Sequence, residues 1–429
     1  MIPVIHSVAR RVAPWCLVAA VGLGLPGCAS SGGGGSSQSA STPRQAAPGS
    51  YAFWPLFPDE PRIQFVRSIN SSTDLVPRKK DALADIVFGE EAQRAAEVDK
   101  PYGVAMRDGK VYVCDIRTAA LVVFDLPKKQ TRLVGITGAN RLSHPVAVAV
   151  ADDGAIYVAD NQRGAIIEFT AEERYFQALG FQGFKPAGVA VHGDRVYATD
   201  MQNQVVQVFD RRTGQKVGQI GSVGDNDGQF RLPLGIATDP SGNVYVMDMM
   251  RCRLQKFAPD GQFIAAAGQL GDYAGTFARP KHIAVDGDGI VYVVDAAFQN
   301  VQMFDSDFNL LMSFGAAGNF PGSMNLPAGV AVCEGNTEIF EGLIHPGFNA
   351  ERMVLVTNQF GPAKVSIYAM GQAREGYTAA DLARSAVTVS SGVGRSEEAL
   401  QLQQQGTLQE PPDDAEEEDE EPESSGSER

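Results

Sequence analysis

"PLGIATDPSGNVYVMDMMRCRLQKF" fills residues 233–257 and decides the fold. Pro233 opens a short strand of small and apolar residues, "GIAT". Ser241-Gly242-Asn243 then supplies the positive φ that a tight hairpin needs. A second strand follows, "VYVMD", and a third, "RLQKF", ends in an aromatic residue.

Working outward, the same unit recurs behind Pro101, Pro145, Pro186, Pro233, Pro280 and Pro327, at spacings of 44, 41, 47, 47 and 47 residues. The turns are Asp108-Gly109, Asp153-Gly154, Gly193-Asp194 and Gly287-Asp288-Gly289. The second strands read "VYVCD", "IYVAD", "VYATD" and "VYVVD". The third strands read "LVVF", "AIIEF", "VVQVF" and "VQMF". A fourth leads into the next unit, as in "KVGQIG" and "LLMSFG". Four short strands in about 40–50 residues make one propeller blade, so the chain is predicted to be an all-β, six-bladed β-propeller. The sixth blade is irregular. An insertion at 334–351 separates its first strand from "RMVLVTN" and "KVSIYAM", and no fourth strand follows. "PRIQFVRSI", residues 61–69, has no other partner. It is predicted to pair with blade six and close the ring, which removes exposed sheet edges.

The pattern P-x-G-[VI]-A-V, D-G, [VI]-Y-V-x-D and an aromatic-ended strand resembles NHL-repeat propellers over about residues 61–370. The linkers "GSVGDNDGQFRLP" (221–233) and "GQLGDYAGTFARP" (268–280) add to the likeness. The resemblance implies a fold and leaves function open. "WPLFPDEPRI" (54–63) and "TNQFGPAKVSIY" (357–368) are similar to a bacterial envelope subgroup. That similarity implies association with an electron-transfer assembly containing a multihaem cytochrome.

The two ends read differently. Arg10 and Arg11 precede a 14-residue apolar run, residues 12–25, and "LPGC" ends at Cys28. This reads as a lipoprotein signal peptide, residues 1–27, with Cys28 acylated as the mature N-terminus. Ala29 follows where aspartate would favour the inner membrane, so outer-membrane anchoring is expected. Residues 28–50 form a Gly/Ser/Ala linker with a reach of roughly 25 Å. The propeller is assigned to 51–372, with 75–99 as a helical accessory segment around "KKDALADIVFGEEAQRAAEV". Residues 373–429 are read as a disordered tail. From Glu410 onward it carries eleven acidic residues and one basic, or −10 of the formal −15.

A pI near 4.8 in an exported chain argues against a nucleic-acid partner. Cys114, Cys252 and Cys333 are too few and odd in number for a disulfide framework, and they read as packing residues. H-E-x-x-H, G-x-S-x-G and phosphate-binding glycine loops are absent from the sequence.

Candidate site residues come from the repeat. His282 stands where the other inner strands carry Gly103, Ala147, Gly188, Gly235 and Gly329. It is placed at the channel mouth, with His144 on the same face; His192 is expected at the opposite mouth and His345 in the insertion. Two histidines on different blades fall short of the three or four ligands a metal wants. His282 is therefore read as a hydrogen-bonded structural residue, with no metal and no cofactor. Asp115, Asp160, Asp200, Asp248, Asp295 and Asn358 each end a second strand and are read as turn caps, since their oxygens accept nearby backbone N–H groups. The loops behind them carry Arg117, Arg163, Gln202, Asn203, Arg251, Arg253, Gln299, Asn300 and Gln359, a candidate docking face. The expectation is a monomeric, lipid-anchored scaffold that binds an envelope protein or a ligand. The alternative is a metal-dependent lyase or lactonase-like hydrolase acting at the mouth near His282.

Overall fold

The computed structural model describes residues 51–76, 97–138 and 140–387. The signal segment, Cys28 and its linker, residues 77–96 of the accessory segment, and 388–429 of the tail lie outside the described residues.

Six antiparallel sheets form the blades of a propeller. Their inner strands are Pro101–Arg107, Pro145–Val150, Pro186–His192, Pro233–Thr238, Pro280–Val285 and Pro327–Glu334. Each packs beside the inner strand of the next blade, and the sixth packs beside the first. Second and third strands are sandwiched between neighbouring blades on both faces. They therefore read as continuous apolar runs rather than as alternation. Val244–Asp248 is buried at every position, whereas the outermost strand Tyr175–Gly180 is mostly exposed. The aromatic residues that end the third strands, Phe124, Phe169, Phe209, Phe257 and Phe304, are all buried between blades.

Two local features set the blade shape. Asp108 and Gly109 both take positive φ, which gives the hairpin the twist its strands require. At the mouth the inner strands approach so closely that a Cβ on Gly188 would lie 2.3 Å from the carbonyl oxygen of Leu234. The repeated glycine is thus a packing requirement between blades.

Ring closure follows the sequence expectation. Ile63–Ile69 pairs antiparallel with Val365–Ala373, with Phe65 opposite Tyr368 and Ile69 opposite Val365. A further strand, Ala52–Trp54, lies outside it. Two boundaries need correction. The insertion is shorter than 334–351, because the second strand of blade six already starts at Phe348; a 3-10 turn, Thr337–Leu343, fills the gap. The ordered chain runs past the expected tail boundary at 373 into a short helix, Ala379–Ala383, whose Leu382 is fully buried. Val387 N–H then donates to Tyr51 O at 2.6 Å. One apolar anchor in a five-residue helix leaves no periodic signal in the sequence, which is why this segment reads as tail.

Candidate functional site at the channel mouth

The mouth draws on three recurring positions of the repeat, the residues before and after the proline and the residue after the strand-ending Asp or Asn, together with His282. Backbone staples hold these positions together. Asp248 accepts N–H bonds from Arg231, Leu232, Met250 and Arg251. Asp115 accepts from Asp99, Lys100, Arg117 and Thr118. Asp295 accepts from Ala278, Arg279, Ala297 and Phe298. Asp160 and Asp200 accept three each, from Ser143, His144 and Arg163, and from Lys185, Gln202 and Asn203. In the sixth blade Asn358 accepts from Asn325 and donates to Ala363 O. All six side chains are fully buried. Each therefore ties the loop entering its blade to the turn between the second and third strands.

Above this layer lies a cavity of about 360 Å³. Its walls are unequal. Blades two to four contribute Val146, Ala187, Met201, Leu232, Leu234 and Met249, with Asn161, His144 and Lys185 also lining the cavity. Blade one contributes Tyr102, blade five Arg279, Lys281 and His282, and blade six Gln359. None of these fourteen lining residues is acidic. Lys281 is only 5% exposed. Its ammonium donates to Gln359 Oε1 at 3.2 Å and stands 5.4 Å from the centre of the Tyr102 ring. Burial, with the nearby positive charges of Arg279 and Lys100, pulls its pKa down to about 8. Among the described residues, Lys281, Arg279, Lys185 and Lys100 form no ion pair.

His282 is 8% exposed, and its Nδ1 lies 3.2 Å from Val330 O in blade six. A carbonyl can only accept, so Nδ1 carries the proton in this pair. Nε2 is buried with no partner. Burial holds the imidazole neutral, with its pKa lowered to about 4. His144 lines the same cavity. His345 lies away from it in the insertion. It is buried beside Tyr51 and Tyr377, and its Nδ1 accepts from Gly347 N–H. Among the described residues, no three His, Cys, Asp or Glu side chains are placed to hold a metal ion.

The candidate docking residues are mostly engaged within the protein. Arg117 pairs with Asp99, Arg251 with Asp225 and Arg253 with Asp227. Arg163 donates to Arg141 O at 2.7 Å, and Asn203 donates to Gly183 O and to Asp200. Gln299 sits in a turn at φ 56°. Gln359 departs from the expectation of a rim residue: it is buried at 8% exposure and forms part of the mouth, because the residue after the strand-ending Asn turns inward.

Reading the mouth through its histidines missed Lys281, Arg279 and Lys185. The signal was present. Lys281 occupies the position that holds Tyr102, Val146, Ala187, Leu234 and Ala328 in the other blades. Arg279, Lys185 and Lys100 all directly precede the repeated proline.

No family model matches the chain. Solved structures with a similar fold include a protein of unknown function from Bacteroides thetaiotaomicron, at 16% identity and TM-score 0.50, covering 64% of this chain and 70% of that one. A gluconolactonase from Xanthomonas campestris is 15% identical with TM-score 0.47, covering 76% and 99%. The virginiamycin B lyase of Staphylococcus aureus is 11% identical with TM-score 0.44, covering 63% and 95%. At such identities the likeness is one of fold, and the class it defines is the six-bladed β-propeller.

Proposed function

We propose that this chain is a binding propeller of the bacterial envelope, lipid-anchored through Cys28, non-catalytic, and loaded at its channel mouth. The observation that carries this reading is Lys281. A buried ammonium without a carboxylate partner is costly to keep. A mouth that served only to pack blades would be more stable with the small or apolar residues found at this position in blades two, three, four and six. The cost is rational where a ligand supplies the missing contacts.

Outer-membrane placement rests on "LPGC" and Ala29. Association with a multihaem cytochrome assembly rests on the sequence resemblance alone. Arg117, Arg251 and Arg253 of the rim are held in local pairs, which favours the mouth over the rim as the binding locus.

The reading is tested by recovering small molecules from the full chain purified under mild conditions, beside a Leu234→Trp variant whose indole fills the mouth. The expected result is a compound present with the wild type and absent with Leu234→Trp. The same compounds recovered from both would remove the mouth as the binding site.

A further inference from the structure

We infer that the mouth takes a small organic carboxylate with a compact apolar body, its charged end toward Lys281 and Arg279 of blade five and its body toward Met201, Leu234 and Met249 of blades three and four. The inference rests on the mouth being the binding site and specifies what it holds.

The chain is acidic, with a formal net charge of −15, yet the mouth is lined by basic residues and no acidic one. Elsewhere arginines are commonly matched: Arg132 with Glu173, Arg211 with Asp153, Arg231 with Asp225, and Arg352 with Asp286 and Asp288. Lys281 and Arg279 have no such match among the described residues. A lysine ammonium has three donors, and Gln359 accepts one. An incoming anion would satisfy donors that the protein leaves open.

The mouth is also asymmetric. In a ring of six, blade five faces blade two across the channel, and its flank is blade six and then blade one. Lys281, Arg279 and Gln359 converge beside the Tyr102 ring on blades five, six and one, while Lys185, His144 and Asn161 add polar groups at the edge of blades two and three. The apolar stretch is carried by blades three and four, with Leu234, Met201 and Met249, and methionine sulfur packs well against aromatic rings. A cavity of about 360 Å³ with a buried ammonium on one wall and an apolar stretch on another suits a compact amphipathic molecule rather than a polymer or a bare inorganic ion. The planar guanidinium of Arg279 matches a carboxylate in particular.

The test is titration calorimetry of the full chain in detergent with phenylacetate, its neutral isostere phenylacetamide and the cation phenethylamine. Phenylacetate is expected to bind at least about tenfold more tightly than the amide, and phenethylamine not measurably. Lys281→Met, which keeps the stem and removes the charge, should bring phenylacetate down to the level of the amide. Arg279→Gln, at a more exposed lip position, should weaken it in the same direction and guards against a folding defect in the first variant. Equal or tighter binding of the amide, no binding of phenylacetate, or full affinity in both variants would overturn the assignment. Phenylacetate binding that survives Leu234→Trp would instead strike down the mouth itself.

Discussion

The Thr357 hydroxyl donates to the carbonyl of Tyr102 at 2.5 Å, and so joins the last blade to the first. The same oxygen accepts Gly329 N–H at 2.8 Å. Thr199 makes the equivalent pair of contacts between blades three and four, to Leu234 O and from Gly188 N–H. The threonines reach across where glycine lets the backbones close up. Thr357→Val keeps the shape and leaves one buried donor and one buried acceptor unmatched. It is expected to cost about 2 kcal/mol in urea unfolding, as is Thr199→Val. A change below about 0.5 kcal/mol in both would show that these bonds do not hold the seam.

The strand-end carboxylates should be graded in their sensitivity. Asp248→Ala removes the acceptor of four backbone N–H groups in the interior and is expected to cost roughly 3–5 kcal/mol. Asp248→Asn keeps the oxygen that serves three of them, and blade six already works with Asn358, so about 1–2 kcal/mol is expected. Equal losses for Ala and Asn would mean that the charge, not the acceptors, matters.

Much of this was legible in the sequence, and the limits have physical causes. Proline, turn and aspartate repeat because every blade solves the same packing problem, so the blade count and the closing strand at 61–69 could be read directly. Asp115 and its equivalents could be assigned because repetition itself marks a local backbone role. Lys281 could not be placed so easily. A lysine usually reads as a solvated side chain, and only its position beside a repeated proline, on a strand that lines the channel, makes it a buried one. Leu382 and the 52–54 strand were hidden because a single anchor and a three-residue strand carry no periodicity.

His282 makes stability depend on acid. Its pKa is about 4 in the folded chain against an ordinary 6.5. Between these values the unfolded chain binds the proton and the native chain does not. Stability therefore falls as pH drops from 6.5 toward 4, by up to about 3 kcal/mol from this group. His282→Ala is expected to be about 1–2 kcal/mol less stable than wild type at pH 7, through lost packing against blade six. That gap should close near pH 5, and by pH 4 His282→Ala should be the more stable of the two by about 1–2 kcal/mol. Parallel stability curves for the two proteins would refute this account of the histidine.

Anchoring is tested separately. Cys28→Ala is expected to move the protein from the membrane to the soluble fraction and to abolish incorporation of labelled fatty acid. Membrane retention of the variant, together with no label in the wild type, would reject the lipoprotein reading.

The most direct measurement for the mouth is the reactivity of the Lys281 amine itself, read by peptide mass spectrometry after trace acetylation, with exposed Lys129 as internal reference. The account predicts that Lys281 titrates near pH 8 and that saturating phenylacetate suppresses its labelling while Lys129 is unchanged. A Lys281 that titrates with the ordinary lysines, and labels equally with and without phenylacetate, would contradict it.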